Sequence, residues 1–210
     1  AALDGEQKSV SPQTIGMVAL STTLATNAIA ESHGAPVCLL LIGYDPELIR
    51  QYKFQHQLAT KDIFYISGGH DIHGDEIAPL DEQTAKAAIM KRREHVGAFA
   101  VSGYFGALNP SHELRVRQII KDICDLPPTC GHELSSRFNS IRRATTVALN
   151  ARLIPIIYDL IANVRFVLEQ LSISAPLMIV KGDGSLVRAE WAIKRPVETV
   201  LSGPAASAIG

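Results

Sequence analysis

Eight consecutive residues, PVCLLLIG at 36–43, carry no polar side chain. A strand with one wet face alternates apolar and polar residues, because successive side chains point to opposite faces. A run without alternation suits a strand covered on both. Helices packed on either side of a largely parallel sheet supply that cover, so this run points to an α/β fold. The rest of the chain follows the same grammar. IGMVALS at 15–21 reads as a strand, and STTLATNAIAESHG at 21–34 as a helix with Ser21 placed to cap it and Gly34 to end it. After the apolar run, Asp45, Pro46 and Glu47 provide an N-cap, a proline at the first helical position and an acid at the positive end of the helix dipole.

Residues 62–81 read as a strand, a turn-rich excursion and a returning strand, followed by a helix from Asp81 to about Glu94. AFAVSGYF at 98–105 is a further strand, and Asn109 with Pro110 behind it opens a helix. From Arg142 to about Leu171 the pattern is one of long helix, with Pro155 expected to break or kink it. LMIVKGDGS then gives a buried strand running into a glycine-bearing turn, and the best candidate for a domain boundary lies at 131–137. In SGPAASAIG at 202–210, Ser202 suits a helix N-cap, and the small residues behind it allow another backbone to come close.

With 210 residues, 47% of them hydrophobic, the chain can bury a substantial core as one large domain or two smaller ones. A net charge of −1 and a single dense basic run at 91–94 argue against nucleic acid as a partner. The longest apolar stretch, 35–43, is less than half of a membrane span, and no charged-then-apolar leader opens the sequence, so a cytoplasmic protein is expected. Cys38, Cys124 and Cys130 fit no zinc or redox spacing and read as reduced, structural thiols.

Four stretches have the residue types that chemistry needs. STTLATNA sets Ser21, Thr22, Thr23, Thr26 and Asn27 around a strand end and the first turns of a helix, where free N–H groups and hydroxyls can hold an anion or simply cap the helix. Lys181, Gly182, Asp183 and Gly184 form either a cleft edge or a tight turn. Arg143, Thr146 and Asn150 share one helix face, which then meets solvent or lines a cleft. GGHDIHGDE concentrates His70, Asp71, His73, Asp75 and Glu76, but in a hairpin adjacent residues point to opposite faces, so no metal site is expected there. His112 suits a capping or surface role. His33, His56, His95 and His132 have no evident partners, and no catalytic triad can be assembled.

Taken together and in order, STTLATNAI, GYFGALNPSHE, RRATTVALNARLIP, MIVKGDGSL and PVETVLSGPAASAIG resemble the hydantoinase A / 5-oxoprolinase family, from about residue 15 to the end. That family includes ATP-dependent hydantoin- and oxoproline-opening enzymes and related acetone and acetophenone carboxylase subunits. The resemblance implies a partial actin-like, ribonuclease-H-like ATPase lobe: an N-terminal α/β region over 1–133, then the start of the hydantoinase/oxoprolinase core over 134–210, ending on a small-residue interlobe helix shaped by Gly203 and Pro204. No Asp-x-Gly-Gly-Thr phosphate hairpin occurs in the sequence. The chain therefore reads as an internal fragment, with ATP and Mg expected of the complete parent and neither held tightly by this piece.

Arg142 stands where the resemblance leads one to expect an acidic neighbour of Arg143. The implied activity is ATP-dependent hydrolysis of a cyclic amide of hydantoin or 5-oxoproline type through phosphorylation of its carbonyl oxygen. An unactivated lactam is a poor electrophile, and phosphate on its oxygen supplies a leaving group. Thr22, Thr23, Asn27, Arg143, Asn150, Lys181, Gly182, Asp183 and Gly184 are the residues expected near substrate or phosphate. The alternatives are a subunit of an ATP-dependent ketone carboxylase, in which a second subunit takes part, and a non-catalytic binding or assembly module. A strand edge left open in such a fragment is expected to be covered by homo-oligomerisation or strand exchange.

Overall fold

The run at 36–43 becomes β2 (Val37–Ile42), buried at all six positions, inside a four-stranded sheet of order β3-β2-β6-β7. Its neighbours β3 (Ile63–Ile66) and β6 (Ala98–Gly103), and β7 (Pro128–Cys130) beyond β6, all run parallel, with Leu39 opposite Ile63, Val37 opposite Ala98 and Val101 opposite Cys130. The two-residue period divides β2 between two cores. Cys38, Leu40 and Ile42 pack under α3 (Glu82–Arg92) and α4 (Ser111–Ile123); Val37, Leu39 and Leu41 pack under α2 (Pro46–Gln51) and the start of α6 (Ser140–Gln170). Ala98 and Ala100 of β6 meet Ala144, Ala148 and Ala151 of α6, and small residues on both sides let the helix lie close to the sheet.

This computed structural model describes residues 11–31 and 33–209. Residues 1–10, Ser32 and Gly210, which the sequence reading assigned to the N-terminal region, the first helix and the last motif, lie outside the described residues. A second sheet joins β1 (Val18–Leu20), parallel to β8 (Leu177–Val180), which pairs antiparallel with β9 (Leu186–Arg188). Its core takes in α1 (Leu24–Ala30), α7 (Ala189–Lys194) and Leu153, Ile157 and Ile161 of α6. The segment 18–30 thus sides with residues beyond 153 rather than with the four-stranded sheet next to it in sequence. A small hairpin of β4 (Gly69–His70) and β5 (Glu76–Ala78), a short α5 (Gly131–Leu134) and α8 (Ser202–Ile209) complete the described elements.

The 31-residue α6 is the beam shared by both sheets. Asn139 caps it by accepting the Arg142 N–H at 2.9 Å, and of the break or kink expected at Pro155 the break does not occur, the helix running on through it. A proline removes one helical hydrogen bond, and packing against two cores outweighs that loss here. By length and composition α6 would suffice to cross a bilayer, although no single apolar run in the sequence suggested it; in this fold it is a core helix. Two other local signals are met as read: the Asp45 carboxylate accepts the Glu47 and Leu48 N–H groups, and Asp81 accepts that of Thr84; α4 starts one residue later than expected, with Pro110 at its N-cap and Asn109 Oδ1 accepting the Ser111 N–H. The first helix differs. It begins at Leu24 and ends at Ala30, with Thr22 Oγ1 rather than Ser21 accepting its first free N–H at 3.0 Å.

Candidate functional site

Parallel β1 and β8 end side by side, Leu20 opposite Ile179, so the two stretches singled out in the sequence leave the same edge of one sheet. Ligands of open α/β sheets sit beyond the carboxyl ends of the strands, where successive loops can part. From β1 the chain enters Thr22, Thr23 and α1; from β8 it enters a tight hairpin through Lys181, Gly182, Asp183 and Gly184 into β9. The segment 196–203 closes the third side. Ser202, fully buried, donates its hydroxyl to the Thr22 carbonyl at 2.8 Å and accepts the Thr22 N–H at 3.2 Å. The Leu201 N–H, from a residue held at φ 64°, reaches Thr26 Oγ1 at 2.9 Å.

These bonds bring the N-termini of α1 and α8 together, so that a Cβ added at Gly203 would lie 3.1 Å from the Thr23 methyl. Two helix starts at one point favour negative charge, through their free N–H groups and dipoles. Thr23, the N-cap of α1, and Asn27, one turn further on, are both exposed beside that junction, and Pro204 is exposed on the first turn of α8. Ser202 therefore clamps the strand end instead of capping α8, which starts at that residue.

The hairpin on the β8 side is internally satisfied. The Gly182 N–H donates to the Glu198 carbonyl at 2.7 Å, and a Cβ there would fall 2.2 Å from the Val200 carbonyl oxygen. Asp183 accepts the Ser185 hydroxyl and N–H, which with the nearby Lys181 hold its carboxyl at about 2. Lys181 bridges Glu198 at 3.1 Å and Asp183 at 3.3 Å and lies 5.4 Å from the Trp191 ring centre; the hydrogen bond to Glu198 raises its pKa most. Its ammonium is committed to the turn, and Gly184, at φ 82°, makes the reversal possible.

Arg143 and Asn150 do neither of the two things expected of their helix face. Arg143 is buried and donates to the carbonyls of Arg137, Gly103 and Tyr104 at 2.8, 2.8 and 2.6 Å. Asn150, fully buried, donates to the Lys194 carbonyl at 3.0 Å and accepts the Val197 N–H at 3.1 Å. One holds the loops beyond β6; the other anchors the segment whose next residues clamp Thr22 and Gly182. Thr146 bonds back to the Arg142 carbonyl.

The histidines also differ from their sequence reading. His112 is buried, its Nδ1 accepts the Gly69 N–H at 3.1 Å and its Nε2 meets Glu76 at 2.9 Å. His132 has a partner after all, because Nδ1 lies 2.6 Å from Oε2 of fully buried Glu113. Glu113, Cys130 and His132 lie close enough to share an ion. The Glu113 carboxylate, however, already accepts the N–H groups of Gly103 at 2.7 Å and His132 at 2.9 Å, so the cluster is satisfied as a structural tie. Only tertiary pairing reveals these partners, which sit ten to forty-three positions away.

Comparison with known proteins places this architecture. Residues 1–124 match the family profile described as hydantoinase/oxoprolinase N-terminal region, and residues 143–210 match the one described as hydantoinase/oxoprolinase. Caprolactamase subunit alpha of Pseudomonas jessenii is 30% identical over 203 residues, covering 89% of this chain and 29% of that subunit. The acetophenone carboxylase gamma subunit of Aromatoleum aromaticum is 25% identical over 167 residues, covering 66% of this chain and 23% of its own length.

Among solved structures, the ATP-dependent caprolactamase from Pseudomonas jessenii superposes with a TM-score of 0.78 at 27% identity over 91% of this chain and 30% of that one. Nucleotide-free acetone carboxylase shares the fold, with a TM-score of 0.76 at 17% identity over 92% of this chain and 31% of that one. The chain thus spans less than a third of the length of these relatives. By its profile matches over both parts, it belongs to the hydantoinase/oxoprolinase family.

Proposed function

We propose that this chain is part of a cytoplasmic ATP-dependent hydrolase that opens a cyclic amide, and that it forms most of one lobe of an actin-like ATPase. The observation that carries this reading is the junction of α1 and α8 at the end of β1, in a chain similar to an ATP-dependent caprolactamase. Thr23 and Asn27 offer a hydroxyl and an amide on the exposed side of two helix starts, and no carboxylate of the described residues is bonded into that junction. That donor set fits a phosphate. Mg–ATP, when bound, supplies the phosphoryl group that activates the amide carbonyl oxygen.

This chain's own residues hold and orient. Thr23 and Asn27 meet the anion, Ser202 and Thr22 fix the two helix starts, and Gly203 and Pro204 shape the helix between lobes. Lys181 to Gly184 border the cleft as a rigid rim, and Asn150 positions the closing segment. A second subunit belongs to the same proposal, supported by the alpha and gamma designations of the two relatives, and so does self-association through an open strand edge. The free thiols Cys38 and Cys130, both buried, support a reducing compartment.

The test is Thr23→Ala and Asn27→Ala in the complete protein, assayed for ATP-dependent ring opening. A drop of tenfold or more with an unchanged thermal midpoint is expected, and unchanged turnover removes both residues from the site. The acetophenone carboxylase similarity supports a second reading, ketone carboxylation, which an ATP-turnover assay with a ketone in place of the cyclic amide separates by its requirement for bicarbonate.

A further inference from the structure

At the other sheet, β2 and β6 lie side by side, but the chain leaves β2 toward β3 on one side and reaches β6 on the other. Such a reversal of strand order opens a crevice at the carboxyl ends of the strands. Here the crevice is a cavity of about 530 Å³, bounded by the loop after β2, the turn after β3, the loop after β6 and the start of α6. Three of its lining residues are glycines: Gly43, Gly68 and Gly69 all have positive φ, and a Cβ at Gly43 would fall 2.8 Å from the Gly68 carbonyl oxygen. The three glycines let two loops touch and leave open the space above them.

The walls are aromatic and apolar. Tyr52 stacks on Phe54 with ring centres 5.7 Å apart, and Tyr104 stands edge-on to Tyr44 at 5.2 Å and to Phe105 at 4.9 Å. Leu48, Tyr52, Ile77 and Tyr104 all line the cavity while 42–69% exposed, so four large apolar side chains gather at one concave place on the surface. The polar groups at the cavity are few and held. The Tyr44 hydroxyl is bonded to Ser102 and to the Ser140 carbonyl, and His70 Nε2 lies 3.0 Å from the Ser111 hydroxyl. Burial, followed by the neighbouring His112, keeps His70 below its ordinary pKa, and burial pushes Tyr44 up to about 12, so both are neutral near pH 7. Among the described residues no lysine or arginine lines the cavity, and the one carboxylate that does, Asp45, caps α2.

We propose that this crevice is a binding site for an uncharged, flat ring compound, separate from the junction at β1. Flat apolar walls fit a ring, the polar groups are already paired within the protein, and an anion would find Asp45 and no counter-charge. The two places are distinct along α6. Ser140 and Ile141 line the crevice, whereas Leu153, twelve residues on and about 18 Å further along the helix, already packs on the other sheet. The proposal is independent of the nucleotide reading and does not fall with it.

Benzamide and sodium benzoate are the probes, each titrated into the intact protein by calorimetry with saturation-transfer NMR alongside. Saturable binding of benzamide at one site per chain is expected, with benzoate at least tenfold weaker. Tyr52→Ala and Ile77→Asp, both at side chains more than half exposed, should each weaken benzamide at least tenfold without moving the thermal midpoint. No saturable binding, equal binding of benzoate, or wild-type affinity in both variants overturns the proposal. So does a self-associated protein that Ile77→Asp dissociates and that takes no ring in either state.

Discussion

Ser202 and Thr22 stand 180 positions apart and exchange two hydrogen bonds, hydroxyl to carbonyl at 2.8 Å and N–H to hydroxyl at 3.2 Å. One buried side chain satisfies both main-chain polar groups of one residue just beyond an edge strand. Removing it strands a donor and an acceptor together. Ser202→Ala is expected to destabilise the fold by about 1–3 kcal/mol, whereas Ser207→Ala, on the exposed side of the same helix, should stay within about 0.5 kcal/mol. Chemical denaturation of the two variants checks this, and equal effects would show that the clamp carries no weight.

The second contact at that edge is steric. A Cβ at Gly182 would meet the Val200 carbonyl oxygen, a backbone atom that cannot swing aside, and the displacement would also lengthen the 2.7 Å bond from the Gly182 N–H to Glu198. Gly182→Ala should cost about 1–3 kcal/mol, the usual range for overpacking. Gly16→Ala, with open space around the added atom, is the control and should be neutral or slightly stabilising. Amide exchange at residue 182 is expected to accelerate in the first variant only.

What was legible in the sequence is what depends on neighbours along the chain. Asp45 and Asp81 cap helices because the groups they bond lie two and three residues on, and the two-faced burial of β2 follows from its own composition. The candidate residues Thr22, Thr23, Lys181 and Gly182 do lie at adjacent strand ends, because strand-then-turn patterns in a parallel pair share one edge. The misreadings all involve partners set by tertiary pairing. Ser202 looks like a cap until Thr22 arrives, and Arg143 and Asn150 look like a functional stripe until the carbonyls they hold are in place. His132 is solitary in sequence because Glu113 projects from a different helix. Pro155 carries a local penalty that two flanking cores override. The crevice above Gly43 had no signal, since nothing in the spacing says that the turns after β2 and β3 touch.

Among the described residues Arg143 is the largest fully buried side chain, and three main-chain carbonyls accept from it. Arg143→Met should cost about 1–3 kcal/mol, because apolar replacement leaves the buried Gly103 carbonyl unpaired. Arg143→Lys should recover only part of the loss, an ammonium lacking the planar fork that reaches two loops at once. If Arg143→Met instead keeps its stability and loses only ATP-dependent turnover, the guanidinium acts on a ligand and the structural assignment is wrong.

The thiols give a readout at high pH. Burial pushes Cys38 from an ordinary 9.0 up to about 12 and raises Cys130 as well, while Cys124 is partly exposed. The thiolate is the reactive form, so at pH 8 burial cuts reactive Cys38 by about a thousandfold before access is counted. Iodoacetamide should label Cys124 in the native protein and the other two only after unfolding. The same shift sets a sign for stability. Between pH 9 and about 12 the unfolded chain releases the Cys38 proton and the native state keeps it, so stability is whole below pH 9 and falls as pH rises through that window. The slope from this group is at most about 1.4 kcal/mol per pH unit. Cys38→Ala should flatten the alkaline limb of a stability profile, and a limb that keeps its slope would mean that Cys38 ionises in the folded state.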